Sequence, residues 1–257
     1  CKRNLITLNE DGSYQGNSDD SEDDLQENIF TYRDYASDLF FNTYYIGGLL
    51  KGKEWKDYFD QIWLEKFQQG NQDHKSYAQS LEAAIFAATS AIDGCDIPED
   101  KLIEKVWMAI LELKDFKEPT VFLSAMRFMN YGSIYLEHNP SILHKTLEYI
   151  FEGFSLYNKV PIIQSSLFKC LVEIGQNAST CFNEETFEIF LTFIEENASL
   201  IDKDNCSSAM EGICSLCSVL DNDKIPNVMH RIVKCATDIF PDLEFTDPNH
   251  KIVFVKS

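Results

Sequence analysis

Residues 123–156, LSAMRFMNYGSIYLEHNPSILHKTLEYIFEGFSL, carry two apolar patterns of one kind on either side of a break. In each, large apolar side chains recur at three and four positions, which puts them on one face of a helix and rules out the alternation of a strand. Asn139-Pro140 ends the first pattern, because proline disfavours a helical residue before it and has no N–H to give. The spacing predicts helices over Thr120–Glu137 and Ser141–Tyr157. One helix pair leaves much of its apolar surface uncovered, so more pairs of the same kind should flank it.

The pattern continues in both directions. Upstream it predicts helices over Glu27–Tyr45, Glu54–Gln69, His74–Asp93 and Pro98–Lys114; downstream, over Pro161–Asn177, Glu184–Asn197, Asp204–Leu220 and Lys224–Phe240. Gly47-Gly48 and Gly94 suit the left-handed position after a helix, and Pro98 and Pro161 suit a first helical turn. These ten helices make five hairpins with a fixed period. In the second helix of four hairpins a small residue precedes a large apolar one at Ala84-Ile85, Ala125-Met126, Ser166-Leu167 and Ala209-Met210, at spacings of 41, 41 and 43 residues. The first helices recur through LIEKVWMAIL from Leu102, ILHKTLEYIF from Ile142, TFEIFLTFIE from Thr186 and NVMHRIVKCA from Asn227, at spacings of 40, 44 and 41. A helix pair of that period is the signature of HEAT or armadillo repeats, and two helices per unit favour HEAT. The expected fold is therefore all-α, a HEAT-repeat α-solenoid of about five antiparallel helix pairs with one long concave surface.

Residues 9–28, NEDGSYQGNSDDSEDDLQEN, break with this pattern. They have almost no apolar content and five acids between Asp19 and Asp24, too little to offset the entropy of ordering. The expected organisation is an acidic mobile loop with the end of a preceding element over 1–28, HEAT repeats over 29–240, and a tail or the start of another repeat over 241–257. A first residue other than methionine, Cys1, and a first stretch that reads as the end of an element suggest a fragment of something longer.

Composition narrows function. With 42 acidic against 22 basic residues and a formal charge of −20, the chain should repel phosphate backbones and anionic lipid, and should favour basic protein segments. Direct nucleic-acid or membrane binding is not expected. The eight cysteines fall mostly in apolar helical windows, where a thiol behaves as a small hydrophobe, which suits a reducing compartment. Cys214-Ser-Leu-Cys217 is the one CxxC, but a structural zinc site needs a second ligand pair and the nearest histidine is His230. The five histidines stand apart, and no phosphate loop, dinucleotide turn or nucleophile elbow occurs. Glu184-Glu185 and Glu195-Glu196 read as solvated helix ends or dipole partners. The aromatic series Phe30, Phe40, Phe41, Tyr44, Tyr45, Trp55, Tyr58, Phe59, Trp63 and Phe67 reads chiefly as core, with some members free to line a groove. The reading is a binding protein, not an enzyme, with neither cofactor nor metal.

Longer strings add a resemblance. FTYRDYASDLFFNTYYIGG from Phe30 resembles the aromatic, Arg and Asp-Leu segment in the middle of the transportin-SR and importin-thirteen branch of the importin-β superfamily, where an acidic loop also precedes it. QSLEAAIFAATSAI from Gln79, the stretch 123–156 and VPIIQSSLFKCLVEIGQNAS from Val160 are similar to the family's succeeding helices in the same order. The resemblance covers about Glu27 to Phe240, departing at Phe40-Phe41 and the Trp-rich helix from Glu54. It implies a nuclear transport receptor, shuttling between cytoplasm and nucleus, that binds protein cargo and the Ran GTPase on its concave face and contacts Phe-Gly nucleoporins. A HEAT scaffold subunit of a multiprotein assembly is the other reading. The expected partner surface is the acidic loop, at Asp19, Asp20, Glu22, Asp23 and Asp24, with the polar positions of the second helices, Arg33, Asp34, Asp38, Gln79, Glu82, Arg127, Asn130, Lys169, Glu173 and Glu211.

Overall fold

A computed structural model describes residues 22–68, 74–92, 95, 101–113, 118–201 and 205–239, and every regular element among them is helical. In chain order the helices are α1 (Glu22–Lys51), α2 (Lys53–Gln68), α3 (His74–Ala91), α4 (Lys101–Leu111) and α5 (Pro119–Tyr131), then the single turn α6 (Tyr135–His138). They continue with α7 (Leu143–Tyr157), α8 (Pro161–Asn177), α9 (Glu184–Asn197), α10 (Cys206–Ser215) and α11 (Ile225–Ile239).

Where local chemistry is strong, the boundaries fall as expected. Pro161 opens α8, at a position where a missing N–H costs nothing. Asn183 caps α9 by accepting from the Thr186 N–H at 2.8 Å, and Glu184 and Glu185 sit in the first turn, where the helix dipole favours carboxylates. Asn139-Pro140 does break the chain, since α6 ends at His138 and Pro140 starts a short 3-10 turn.

Other boundaries differ. The helix expected over Thr120–Glu137 is interrupted after Tyr131, at Gly132, where an added Cβ would stand 3.4 Å from the Trp107 ring and 3.2 Å from the Phe128 carbonyl. The second helix expected to Leu220 stops at Ser215, whose hydroxyl bonds the Gly212 carbonyl at 2.8 Å. The largest correction concerns the acidic loop: Glu22–Asn28, expected to be irregular, form the start of α1. At its other end α1 passes through Gly47-Gly48, expected to terminate it, and runs to Lys51. The indole of Trp55 lies against Gly47, where any Cβ would collide with it, and its N–H donates to the Thr43 carbonyl at 3.1 Å. Gly47 therefore serves close approach, and the turn is made by Gly52 at φ 64°, with its N–H on the Gly48 carbonyl at 2.8 Å. Asp19, Asp20, Gly94, Pro98 and the segment 241–257 lie outside the described residues.

The helices form two rows. α1, α3, α5, α8 and α10 pack one on the next, α2, α4, α7, α9 and α11 do likewise, and neighbouring members of the two rows touch. Several side-chain hydrogen bonds between neighbouring helix pairs span 39 to 44 residues, close to the spacing of the sequence pattern. Ser124 reaches Glu82 across 42 residues, Trp107 reaches Thr146 across 39, Asn177 reaches Ser133 across 44, and Lys224 reaches Glu184 across 40.

One continuous apolar core extends from Tyr44 to Ala236. Small residues let the first row close up. Ala84, Ala125 and Ala209 are buried as expected, although Ser166 is only half-buried. Between α8 and α10, an added Cβ on Gly175 would sit 2.5 Å from the Ser215 hydroxyl and 3.2 Å from the Gly212 carbonyl. Larger residues fill the seam between the rows: the Trp107 ring lies 6.0 Å from Phe128 and 5.5 Å from Tyr135, and its N–H donates to the Thr146 hydroxyl at 3.0 Å. A fully buried indole that lacked that acceptor would cost stability.

Candidate protein-binding surface

The expected second-helix positions all fall on the row α1, α3, α5, α8, α10, but they do not form one solvent-facing strip. Arg33 and Glu82 are buried, at 8% and 2% exposure, and pair at 2.6 Å between α1 and α3. Ser124 on α5 donates to the same Glu82 oxygen at 2.8 Å, and the Arg33 guanidinium lies 4.1 Å from the centre of the Phe86 ring. Two charges removed from water persist only when their hydrogen bonds are met, and here the carboxylate receives two donors while the cation also gains a ring face. The assignment of Arg33 and Glu82 to a partner surface is corrected: they join α1, α3 and α5.

The rest stay at the surface. Asp34 and Asp38 on α1, Lys169 on α8 and Glu211 on α10 are exposed, and Gln79, Arg127, Asn130 and Glu173 are half-buried. Glu173 accepts from Asn177 at 3.1 Å, and Glu211 accepts from Gln176 across the α8–α10 contact at 3.3 Å. Glu22, Asp23 and Asp24 stand in the first turn of α1. With Arg33 and Glu82 cancelled internally, four acids (Asp34, Asp38, Glu173, Glu211) remain against two bases (Arg127, Lys169) among these positions, a balance that favours a cation.

The aromatic series divides. Tyr44 and Trp63 are buried, and the Tyr44, Phe59 and Trp63 rings meet at 5.9 and 4.9 Å to fasten α1 to α2. Tyr45 and Tyr58 are exposed. Among the described cysteines, Cys170, Cys206 and Cys235 are buried, Cys95, Cys181 and Cys217 are half-buried and Cys214 is exposed; burial pushes the Cys206, Cys217 and Cys235 thiols up to about 11, which favours the thiol over the thiolate. No cluster of three metal-ligating side chains is assembled among the described residues, and no described helix is long and apolar enough to cross a membrane.

The other row carries ion pairs that the sequence did not reveal. Arg231 on α11 holds Glu195 through two bonds at 2.7 and 2.5 Å and reaches Glu188 at 2.5 Å. Lys105 on α4 meets the buried Asp60 of α2 at 2.6 Å. Glu184 and Glu195, read as solvated ends, are thus tied to the next helix of their row. Spacing could have found two of these ion pairs, because Glu184 and Lys224 lie 40 residues apart and Glu188 and Arg231 lie 43 apart. No protein-family model matches this chain, nor does any curated protein or solved structure.

Proposed function

We propose that this chain is part of a HEAT-type α-solenoid that works by binding proteins, without catalysis, and that it serves as a nuclear transport receptor of the importin-β class. The observation that carries the repeat reading is the packing of the helices in two rows, with hydrogen bonds such as Ser124–Glu82 and Trp107–Thr146 joining neighbours 42 and 39 residues apart. Helix pairs stacked in this way bury their apolar faces only against their neighbours, and the row closed up by small residues becomes the inner side of a curved rod. That side bears Asp34, Asp38, Arg127, Lys169, Glu173 and Glu211, whose excess of acid suits cargo with basic segments.

The transport reading rests on the family resemblance of residues 27–240. It makes Ran and Phe-Gly nucleoporins further partners and the cytoplasm and nucleus the places of action. The intact protein should be retained on immobilised Phe-Gly repeats, and Ran-GTP should alter its affinity for a basic cargo peptide. Failure in both assays, beside a transport receptor that passes them, would remove the transport reading and leave that of a protein-binding repeat array.

A further inference from the structure

A groove of about 890 Å³ runs between α7 and α9 on the row opposite the expected cargo face. Phe151, Ile189 and Phe193 form its floor, with the Phe151 and Phe193 rings stacked at 4.0 Å. Its walls are acidic on both sides, with Glu148 and Glu152 from α7 and Glu185, Glu188 and Glu196 from α9. Glu148 is paired only with His144 of its own helix at 3.3 Å, and Glu188 is held at 2.5 Å by Arg231 from the α11 side. Glu152, Glu185 and Glu196 make no ion pair among the described residues, and no Lys or Arg lines the groove.

Two other seams of the row differ. Between α2 and α4 the chain places Lys105 on Asp60, and between α9 and α11 it places Lys224 on Glu184 and Arg231 on Glu188 and Glu195. In both, one wall supplies the cation for the other. Between α7 and α9 two acidic walls face each other over an apolar floor, and among the described residues no ion pair joins one wall to the other.

We propose that this groove docks an extended, arginine-rich segment of a partner protein. Charge complementarity selects a cation, and the floor selects arginine over lysine. A guanidinium can lie flat on the half-buried Phe151 ring while its fork bonds a carboxylate of the wall, whereas an ammonium is more strongly hydrated and cannot stack. Glu185 to Glu196 spans roughly 16 Å of helix at about 1.5 Å per residue, the reach of about five residues of extended peptide. The surface is separate from the expected cargo face, and the inference stands whether or not the protein is a transport receptor.

The test uses fluorescein-labelled nona-arginine and nona-lysine with the whole chain near 0.15 M salt, read by anisotropy. Nona-arginine should bind more tightly. Glu152→Gln, Glu185→Gln and Glu196→Gln together should weaken it by about tenfold, or roughly 1.4 kcal/mol. The control carries the same charge change on α2, outside both the groove and the expected cargo face, Glu54→Gln, Asp57→Asn and Glu65→Gln, and should weaken binding by less than about twofold. Phe151→Leu, checked for an unchanged helical spectrum, should reduce arginine binding to the lysine level. A nona-arginine bearing a photoreactive group at its centre should cross-link to tryptic peptides from α7 and α9. Equal losses in the two triple variants, or cross-links confined to other helices, would overturn the proposal.

Discussion

Glu82 stands in the run LEAAIFAA, residues 81–88, where every neighbour is apolar, and a lone carboxylate in such company signals a buried pair more than a surface. That signal is present in the sequence, although Glu82 is expected there on the partner surface; its partner is not legible, because Arg33 lies 49 residues away and only tertiary contact joins them. Removing one member strands the other. Glu82→Leu should cost roughly 3 to 5 kcal/mol by urea denaturation, whereas Arg33→Met with Glu82→Leu should recover most of it, since well-packed apolar groups replace buried pairs at little cost. A double variant no more stable than the single one would mean that the site cannot close over apolar side chains. Glu195 gives the corresponding prediction in pH. The bond from Arg231 holds its carboxyl below the ordinary value of 4.5, outweighing partial burial, which acts the other way. The stability it contributes is complete above that value and is lost as acid takes the pH down through the lower folded value. Glu195→Gln should therefore flatten the decline of the melting temperature below pH 4.5, and an unchanged acid limb would show that the pair contributes nothing measurable.

Helices were read best where the apolar period and a local stop agree, as in α8 and α9, and worst where the stop depends on a distant ring. Gly47-Gly48 looks like a terminator in isolation, yet Trp55 folds back over it and the helix continues. The acid-rich start of α1 misled in a different way: low apolar content argues against a core but not against helix, and acids near an N-terminus favour one. Two substitutions test packing at this scale. Gly153 on α7 lies beneath the Phe122 ring of α5, which itself sits 5.6 Å from Tyr149 and 5.4 Å from Tyr157. Helix propensity favours Gly153→Ala by about 1 kcal/mol, but the methyl would displace a ring with nowhere to go, at roughly 1 to 3 kcal/mol. The variant should melt lower; a higher melting temperature would mean that the ring moves freely. Ala125, fully buried on α5, should likewise tolerate Leu only at a cost of about 1 to 3 kcal/mol or more.

A small and a large residue return every 41 to 43 positions along the chain, and the described helices that carry them, α3, α5, α8 and α10, pack one on the next. What the sequence withheld was which acids face solvent and which face a neighbour, since that depends on how one pair sits on the next. The order of contacts, with α8 between α5 and α10 and α3 between α1 and α5, yields a prediction about cooperativity. In a stack, a helix is supported by its neighbours and by little else, so damage should spread only as far as the coupling between adjacent pairs allows. Gly212 on α10 is a suitable place to inflict it, because an added Cβ would already lie 3.4 Å from the Phe190 ring and 3.6 Å from the Val172 backbone nitrogen. Gly212→Leu pushes three further carbons into that contact and should pry α10 from α8 and α9. Hydrogen exchange followed by mass spectrometry should then show protection lost from α8 to α11 and retained in α3 and α5, where Leu81, Ile85, Ala125 and Met126 remain packed as before. A core that unfolds as one unit would instead lose protection everywhere at once, and that outcome would end the solenoid reading whatever the fate of the transport proposal.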